Sequence, residues 1–372
     1  MTQPVIAYCT NVHAGANLAQ MEQNLAVHAA KVRALVAPDA PLPIGLWLSA
    51  AAAAELTSAE NTRRLRDRIE ALGLAVVTLN GFPFSDFHQS VVKHRVYEPH
   101  WADSARRAFT IQLANILVDL LPDGVRDASI STLPIGWRAT FSDDPGGLQV
   151  AAAQLEAVAS HLHMIEMERG VLLHVDLEPE PGCVLDRAQH VVDFFDRWFG
   201  SASHVRRHIG VCHDICHSAV MFEDQTTALD LYRDAAIRVG KVQVSSAVES
   251  DGAASGLALF DEERYLHQTC VRMAGGNVRF FEDLGLALEQ RLPGTHRTHF
   301  HVPIFLSSID KLRTTQIEIG RCLRALRAEH AVPVLEIETY AWSVLPATMR
   351  PASLADGIAR EVRWLQEQCA CM

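Results

Sequence analysis

An alternation repeated eight times constrains this chain more than any other feature. Short apolar, β-prone runs occur at 5–9 (VIAYC), 44–49 (IGLWLS), 75–80 (AVVTLN), 128–133 (ASISTL), 171–178 (VLLHVDLE), 208–214 (HIGVCHD), 240–245 (GKVQVS) and 332–338 (VPVLEIE). Segments with apolar residues at helical spacing lie between them, at 18–36, 102–121, 148–168, 185–199, 226–239 and 314–330, and a last one at 354–368 follows the eighth run. Each parallel pairing needs a crossover that carries a helix back over the sheet, so this order predicts an α/β fold with a parallel sheet. Eight such units close into a (β/α)8 barrel. The competing open, doubly wound sheet lacks its dinucleotide signature, because the first run leads into TNVHAGANLAQ rather than a GxGxxG turn. Without an internal linker or low-complexity tract, residues 1–372 read as a single barrel domain. Two long insertions interrupt the pattern, 81–101 after the third strand and 246–311 after the seventh. Connections of that length are usually functional or disordered, and their His, Lys, Arg and aromatic content points to function.

In such a barrel the active site is built where the strands end, so a polar residue closing an apolar run carries information. The fifth run ends in Glu178 with Glu180 just beyond, the sixth in Asp214 followed by His217, the seventh carries Gln243, and the eighth Glu336 and Glu338. Side chains alternate along a strand, so Asp176 shares a face with Glu178, Glu336 with Glu338, and Cys212 with Asp214. His213 therefore points away from Asp214. That separation argues against reading CHDICH (212–217) as a zinc knuckle, as does the lack of a second, distant ligand pair. Three carboxylates, Glu178, Asp214 and Glu338, arriving at one mouth would repel each other unless a cation lies among them. A divalent metal resolves this, with oxygen-rich ligands suiting Mg or Mn and with Zn or Co also compatible. His301, in the extended stretch THFHVPIF, is placed above the same mouth as a candidate substrate contact; His299 in the same stretch, with His13, His88 and His267, could also face the pocket, although a lone imidazole is more often a structural group. Lys93 and Trp101 in the first insertion are candidate substrate contacts from a lid, with Arg95 beside them.

Charge narrows the ligand class. The formal net charge is −11 and the isoelectric point about 5.9, which disfavours phosphate-rich partners; no nucleic acid is expected. No basic segment followed by an apolar one opens the chain and no window is long enough to span a bilayer, so no membrane insertion and a cytoplasmic location are expected. Eight cysteines without a dense spacing framework read as reduced thiols, and the C-terminal QCACM is a poor prenylation signal. A homo-oligomer is left open.

The strand-end stretches LEPEPG (177–182), CHDICH (212–217) and LEIETY (335–340), with FHVP (300–303), resemble the metal-site signatures of the xylose isomerase-like TIM barrel superfamily, which includes sugar isomerases and epimerases and the AP-endonuclease-2-like barrels. More narrowly, YCTNVH, LNGFPF, VVKHRVYEPHW, ISTLPIGW, KVQVSSA, HFHVP and LEIETYAW together resemble the EboE-type metabolite-traffic proteins. The resemblance to the epimerases implies metal ligands at Glu178, Asp214, Gln243 and Glu338, and a substrate contact at His217. It departs at the seventh strand, where a His is usual and Gln243 stands here. It also implies proton transfer next to a carbonyl, with Glu178 and Glu338 as the catalytic pair, and the EboE-type resemblance implies a small polyol or cyclitol-like ligand in a secondary-metabolite pathway. A non-catalytic binding or trafficking protein for such a metabolite is the alternative.

Overall fold

The computed structural model describes residues 4–142, 144, 146–252, 256–327 and 333–371. Eight parallel strands close a barrel: β1 (Ile6–Cys9), β2 (Leu42–Trp47), β3 (Leu74–Asn80), β4 (Asp127–Thr132), β5 (Leu172–Leu177), β6 (Ile209–Asp214), β7 (Val239–Val244) and β8 (Val334–Ile337), with β8 returning to pair with β1. All eight expected runs form these strands, with ends shifted by a residue or two. Residue 332 of the last run and 328–330 of the sixth expected helix lie outside the described residues. The helices pack outside the barrel, bounded by local signals such as the Ser58, Asp103 and Ser353 side chains that each accept a backbone N–H at a helix start.

The outward side chains, among them Val175, Leu177, Val242 and Val244, are buried in one continuous apolar core beneath the helices. The inward positions are polar. On β7, Lys241 extends its ammonium across the barrel to Glu336 Oε2 on β8 at 2.7 Å and to Ser131 Oγ on β4 at 2.9 Å, with the carbonyl of Leu79 on β3 at 3.4 Å. Burial opposes a charge on Lys241, but Glu336 together with Glu178 and the neighbouring Cys212 and Cys9 outweighs it and holds the ammonium protonated. Gly45 on β2 leaves room for Glu336, since a Cβ there would come within 1.3 Å of Glu336 Oε1. Nearer the strand starts, the fully buried His174 ring lies between Asp176 Oδ1 at 2.8 Å and Asp127 Oδ1 at 3.0 Å.

The two insertions differ from the expectation in one respect. Residues 81–101 fold mostly as irregular chain with one short 3-10 turn at Lys93–Tyr97. The longer insertion is not a loop: it builds a six-stranded antiparallel sheet in the order Val278–Phe281, Thr269–Arg272, Thr295–Thr298, Val248–Asp251, Leu312–Thr314, Ser308–Ile309. These strands are two to four residues long, too short for alternation to register in the sequence, and are held by pairing with each other. No helix among the described residues is long and apolar enough to cross a membrane.

The Lys241–Glu336 pair gives a direct test. Lys241→Met strands a buried carboxylate and is expected to cost about 3–5 kcal/mol in urea denaturation, whereas Lys241→Met combined with Glu336→Leu is expected to recover most of that loss. A double variant no more stable than the single would show that the pair is not what makes the single change costly.

Candidate metal and substrate site

Strand ends deliver the polar residues to one mouth. Asp214, the last residue of β6, also caps the helix Ile215–Val220: its Oδ1 accepts from His217 N at 2.9 Å and from Ser245 Oγ at 2.8 Å, which leaves Oδ2 without a partner. Gln243 lies opposite Asp214 in the β6–β7 register and opposite Glu336 in the β7–β8 register, and neither atom of its fully buried amide has a partner. Glu338, just past β8, is held through Oε1 by Asn11 Nδ2 at 2.6 Å and Asn80 Nδ2 at 2.9 Å, while Oε2 lies 3.5 Å from His301 Nδ1. Glu178, just past β5, keeps Oε2 buried and unpartnered. One carboxylate oxygen from each of Glu178, Asp214 and Glu338 falls within 4.8 Å of the others.

Buried polar atoms are normally paired, so this concentration of orphans needs a physical account. Burial and the neighbouring Glu338 and Asp214 raise the Glu178 carboxyl well above its ordinary range. Burial, Asp214 and Glu336 push Glu338 up to about 8. His301 completes the group: its Nδ1 bonds the Glu338 carbonyl at 2.9 Å, so Nε2 carries the lone pair, and that atom is unpartnered and 3.8 Å from Asp214 Oδ2. Burial holds His301 down at about 4, and His217 at about 3, so both rings are neutral. Three carboxylates, an amide and a neutral imidazole with free lone pairs form a donor set that fits a divalent cation.

Above this floor, His217 bonds the Pro179 carbonyl through Nδ1 at 2.9 Å and meets His299 Nε2 at 3.2 Å through its own Nε2. His299 Nδ1 lies 2.7 Å from Gln268 Oε1, and the Tyr340 hydroxyl is 3.3 Å from its Nε2. Glu180 accepts from Tyr97 at 2.8 Å and Gln268 at 2.9 Å, and burial pushes it up to about 7 against those bonds. A cavity opens onto these groups, walled by Phe82, Phe87, Val92, Val96, Tyr265 and Leu266 from the two insertions.

The structure therefore brings Glu178, Asp214, Gln243, Glu338, His217, His299 and His301 together. Lys93 reaches the cavity wall, but its ammonium is tied to the Asp283 carboxylate of the second insertion. Trp101 is not brought there. It is fully buried in the apolar core, because the chain turns back to the barrel wall where Trp101 N bonds the Ile135 carbonyl at 2.9 Å. His213 points outward to Gln225 Oε1 at 2.7 Å, and Cys212 and Cys216 are free thiols, as are the other six. Asn11 and Asn80, which hold Glu338, were not singled out from the sequence, although Asn80 closes the third apolar run much as Asp214 closes the sixth.

No family model matches the sequence, and no curated protein matches it. Solved structures do. A xylose isomerase-like TIM barrel protein from Mycobacterium smegmatis in complex with magnesium gives a TM-score of 0.54 at 11% identity, over 100% of this chain and 97% of that one. A xylose isomerase domain protein from Alicyclobacillus acidocaldarius gives 0.51 at 12%, over 98% and 99%. The fold is that of the xylose isomerase-like TIM barrels. The IOLI protein with a bound zinc atom shares this xylose isomerase-like fold at a TM-score of 0.50 and 10% identity, over 98% of this chain and 97% of that one.

Behind the barrel mouth, the fully buried Glu361 accepts Ile304 N at 3.0 Å and Thr339 Oγ1 at 2.7 Å, and burial pushes its carboxyl up to about 8 despite those bonds. The folded protein thus keeps a proton that the unfolded chain loses above its ordinary value near 4.5. This group's stabilisation is present at low pH and lost as pH rises toward 8, at up to about 1.4 kcal/mol per pH unit. Glu361→Gln is expected to flatten that part of the stability profile between pH 5 and 8 and to raise the melting temperature at the alkaline end. An unchanged slope would assign the pH dependence to other groups.

Proposed function

We propose that this protein is a metal-dependent isomerase or epimerase acting on a small polyhydroxy carbonyl compound by proton transfer next to the carbonyl. The observation that carries the reading is the convergence of Glu178, Asp214 and Glu338 with the unpartnered Gln243 amide and His301 Nε2 at the end of a closed barrel. Solved proteins of the same fold contain magnesium or zinc, which supports a divalent ion at these residues. The ligands are Glu178, Asp214, Gln243 and Glu338, with His301 adjacent. When bound, the ion supplies charge stabilisation to the carbonyl oxygen and its neighbouring hydroxyl.

The residues of this chain divide the remaining work. Glu178, lining the cavity with an uncommitted Oε2, takes the proton from the carbon next to the carbonyl. Glu338, oriented by Asn11 and Asn80, returns it. His217, locked to the Pro179 carbonyl, and His299 present ring nitrogens that position substrate hydroxyls. Lys93 is the cation among the residues lining the cavity, and Asp283 already neutralises it, so the substrate is a neutral polyol or cyclitol-like ketone rather than a sugar phosphate. Together with the sequence resemblance to EboE-type proteins, this supports a place in a secondary-metabolite pathway.

The test is solvent exchange. Protein loaded with Mn²⁺ and incubated with a ketose or a cyclitol ketone in deuterated water is expected to introduce deuterium at the carbon next to the carbonyl, read by NMR. Glu178→Gln is expected to slow this by at least about a hundredfold. Gln243→His, which replaces an amide by a better ligand, is expected to tighten metal binding at least tenfold, by roughly 1.4 kcal/mol or more. Tight binding of the same compounds without exchange would make the protein a carrier. A purified chain that neither retains nor is stabilised by a divalent metal would remove the reading altogether.

A further inference from the structure

A second group of donors lies away from the mouth, on the outside of the barrel. The helix Gly147–Arg169 carries His163 and Glu166 three residues apart, on one face of that helix. The short helix Ser203–His208 brings His208 against that face, with the His163 and His208 ring centroids 5.8 Å apart. One donor atom from each of the three falls within 4.8 Å of the others.

The orientation of His208 gives this group its meaning. Its Nδ1 bonds the Leu173 carbonyl at 2.8 Å, and a carbonyl can only accept, so Nδ1 carries the proton and Nε2 the lone pair. The residue is fully buried, and Nε2 has no hydrogen-bond partner. That lone pair faces Glu166 Oε2 across 3.3 Å, an arrangement of two acceptors that is repulsive without a cation between them. Two ligand atoms about 2.0–2.1 Å from zinc at a tetrahedral angle stand about 3.3 Å apart. Burial also lowers the affinity of the His208 ring for a second proton, which is the competing way to relieve the contact. Arg207 bonds both Glu166 oxygens, through Nε to Oε2 at 2.8 Å and through Nη2 to Oε1. A carboxylate has lone pairs to spare for this, and such outer partners are how ligating groups are usually held in place.

We propose that His163, Glu166 and His208 form a peripheral binding site for a zinc-type divalent ion, distinct from the barrel mouth. Two imidazoles and one carboxylate favour Zn²⁺ or Co²⁺ over Mg²⁺, and the fourth position is left to water. The ion would join the helix that leads into β5 to the turn that leads into β6, two strands that pair directly. It would act as a structural clamp at the end of the barrel opposite Glu178 and Asp214.

The experiment is equilibrium dialysis of the full chain against Zn²⁺ alone, with Co²⁺ absorption as an independent readout. His163 is exposed, so His163→Ala tests the site without disturbing the core; Glu166→Gln is the second variant. Wild type is expected to hold one equivalent that both variants bind at least tenfold more weakly. Asp214→Asn, which alters the mouth, is expected to leave that equivalent in place. Zn²⁺ is expected to raise the melting temperature of Asp214→Asn but not of the same variant carrying His163→Ala. Equal stoichiometry and affinity in wild type and His163→Ala would overturn the proposal and leave an imidazole–carboxylate pair only. Loss of the same equivalent in Asp214→Asn would overturn it as well, by assigning the ion to the mouth. Because the reading is a difference at His163, it holds or fails independently of whether the mouth is catalytic.

Discussion

A lysine ammonium buried at the centre of a barrel, in contact with one carboxylate and beneath three more, sets the terms for everything above it. Lys241 bonds Glu336 on the neighbouring strand and reaches Ser131 and the Leu79 carbonyl across the lumen. Desolvating both partners makes such a pair weak evidence for stability, since its Coulomb gain is offset by lost hydration. Its effect on the mouth is clearer. Burial and mutual repulsion drive Glu178 and Glu338 toward their protonated forms, and the Lys241 charge opposes this on both, joined at Glu338 by the Asn11 hydrogen bond. The lysine keeps a carboxylate cluster within reach of ionisation in a place where burial alone would neutralise it. A divalent ion in the proposed site would complete a neutralisation that Lys241 begins.

The same barrel explains how much could be read from the sequence. Eight apolar runs with intervening helical spacing were legible because parallel strands buried on both faces leave long, uninterrupted signals. The site was legible for a related reason: Asp214 and Glu338 stand at the points where apolar runs stop, and a barrel collects such points at one mouth. Lys241 was not, because a charge inside an apolar run has no sequence-level partner, and Glu336 lies 95 residues away. Nor were the six short strands of the second insertion, whose pairing is long-range and whose two to four residues carry no period. Trp101 misled for a simple reason. Sequence places it in a functional insertion, but 98–101 is the part of that insertion already returning to the core.

Floor and walls of the cavity therefore have different origins. Strand ends supply the carboxylates and the amide, and the two insertions supply the enclosure together with His299 and His301, tied to each other by the Lys93–Asp283 pair, by Val92 N and Lys93 N on the Arg264 carbonyl at 2.7 and 3.0 Å, and by Tyr265 Oη on the Phe87 carbonyl at 3.1 Å. The insertions are also anchored to the barrel, by Trp47 Nε1 on the Pro83 carbonyl at 3.2 Å and by Tyr97 and Gln268 on Glu180, so the roof is fixed to the strand ends as well as to itself. Rigid strand ends thus hold the carboxylates while the connecting segments wall the cavity, a division that lets one fold carry different sites.

Gln243 is where these arguments meet. An imidazole at that position would offer a fixed lone pair and lose it on protonation, whereas an amide offers a weaker oxygen that no ordinary pH removes. The amide also has two ends. Facing three carboxylates alone, the NH₂ end is the one electrostatics draws inward; facing a cation, it is the oxygen. In the proposed site Gln243 must therefore turn over between the empty and loaded states, and no donor bond holds it in either orientation, since both of its polar atoms are unpartnered. The cost of that turn is small because nothing has to break. What the amide would give up in ligand strength, compared with a histidine, it would return as a seventh-strand group that is indifferent to pH and free to adapt to an ion.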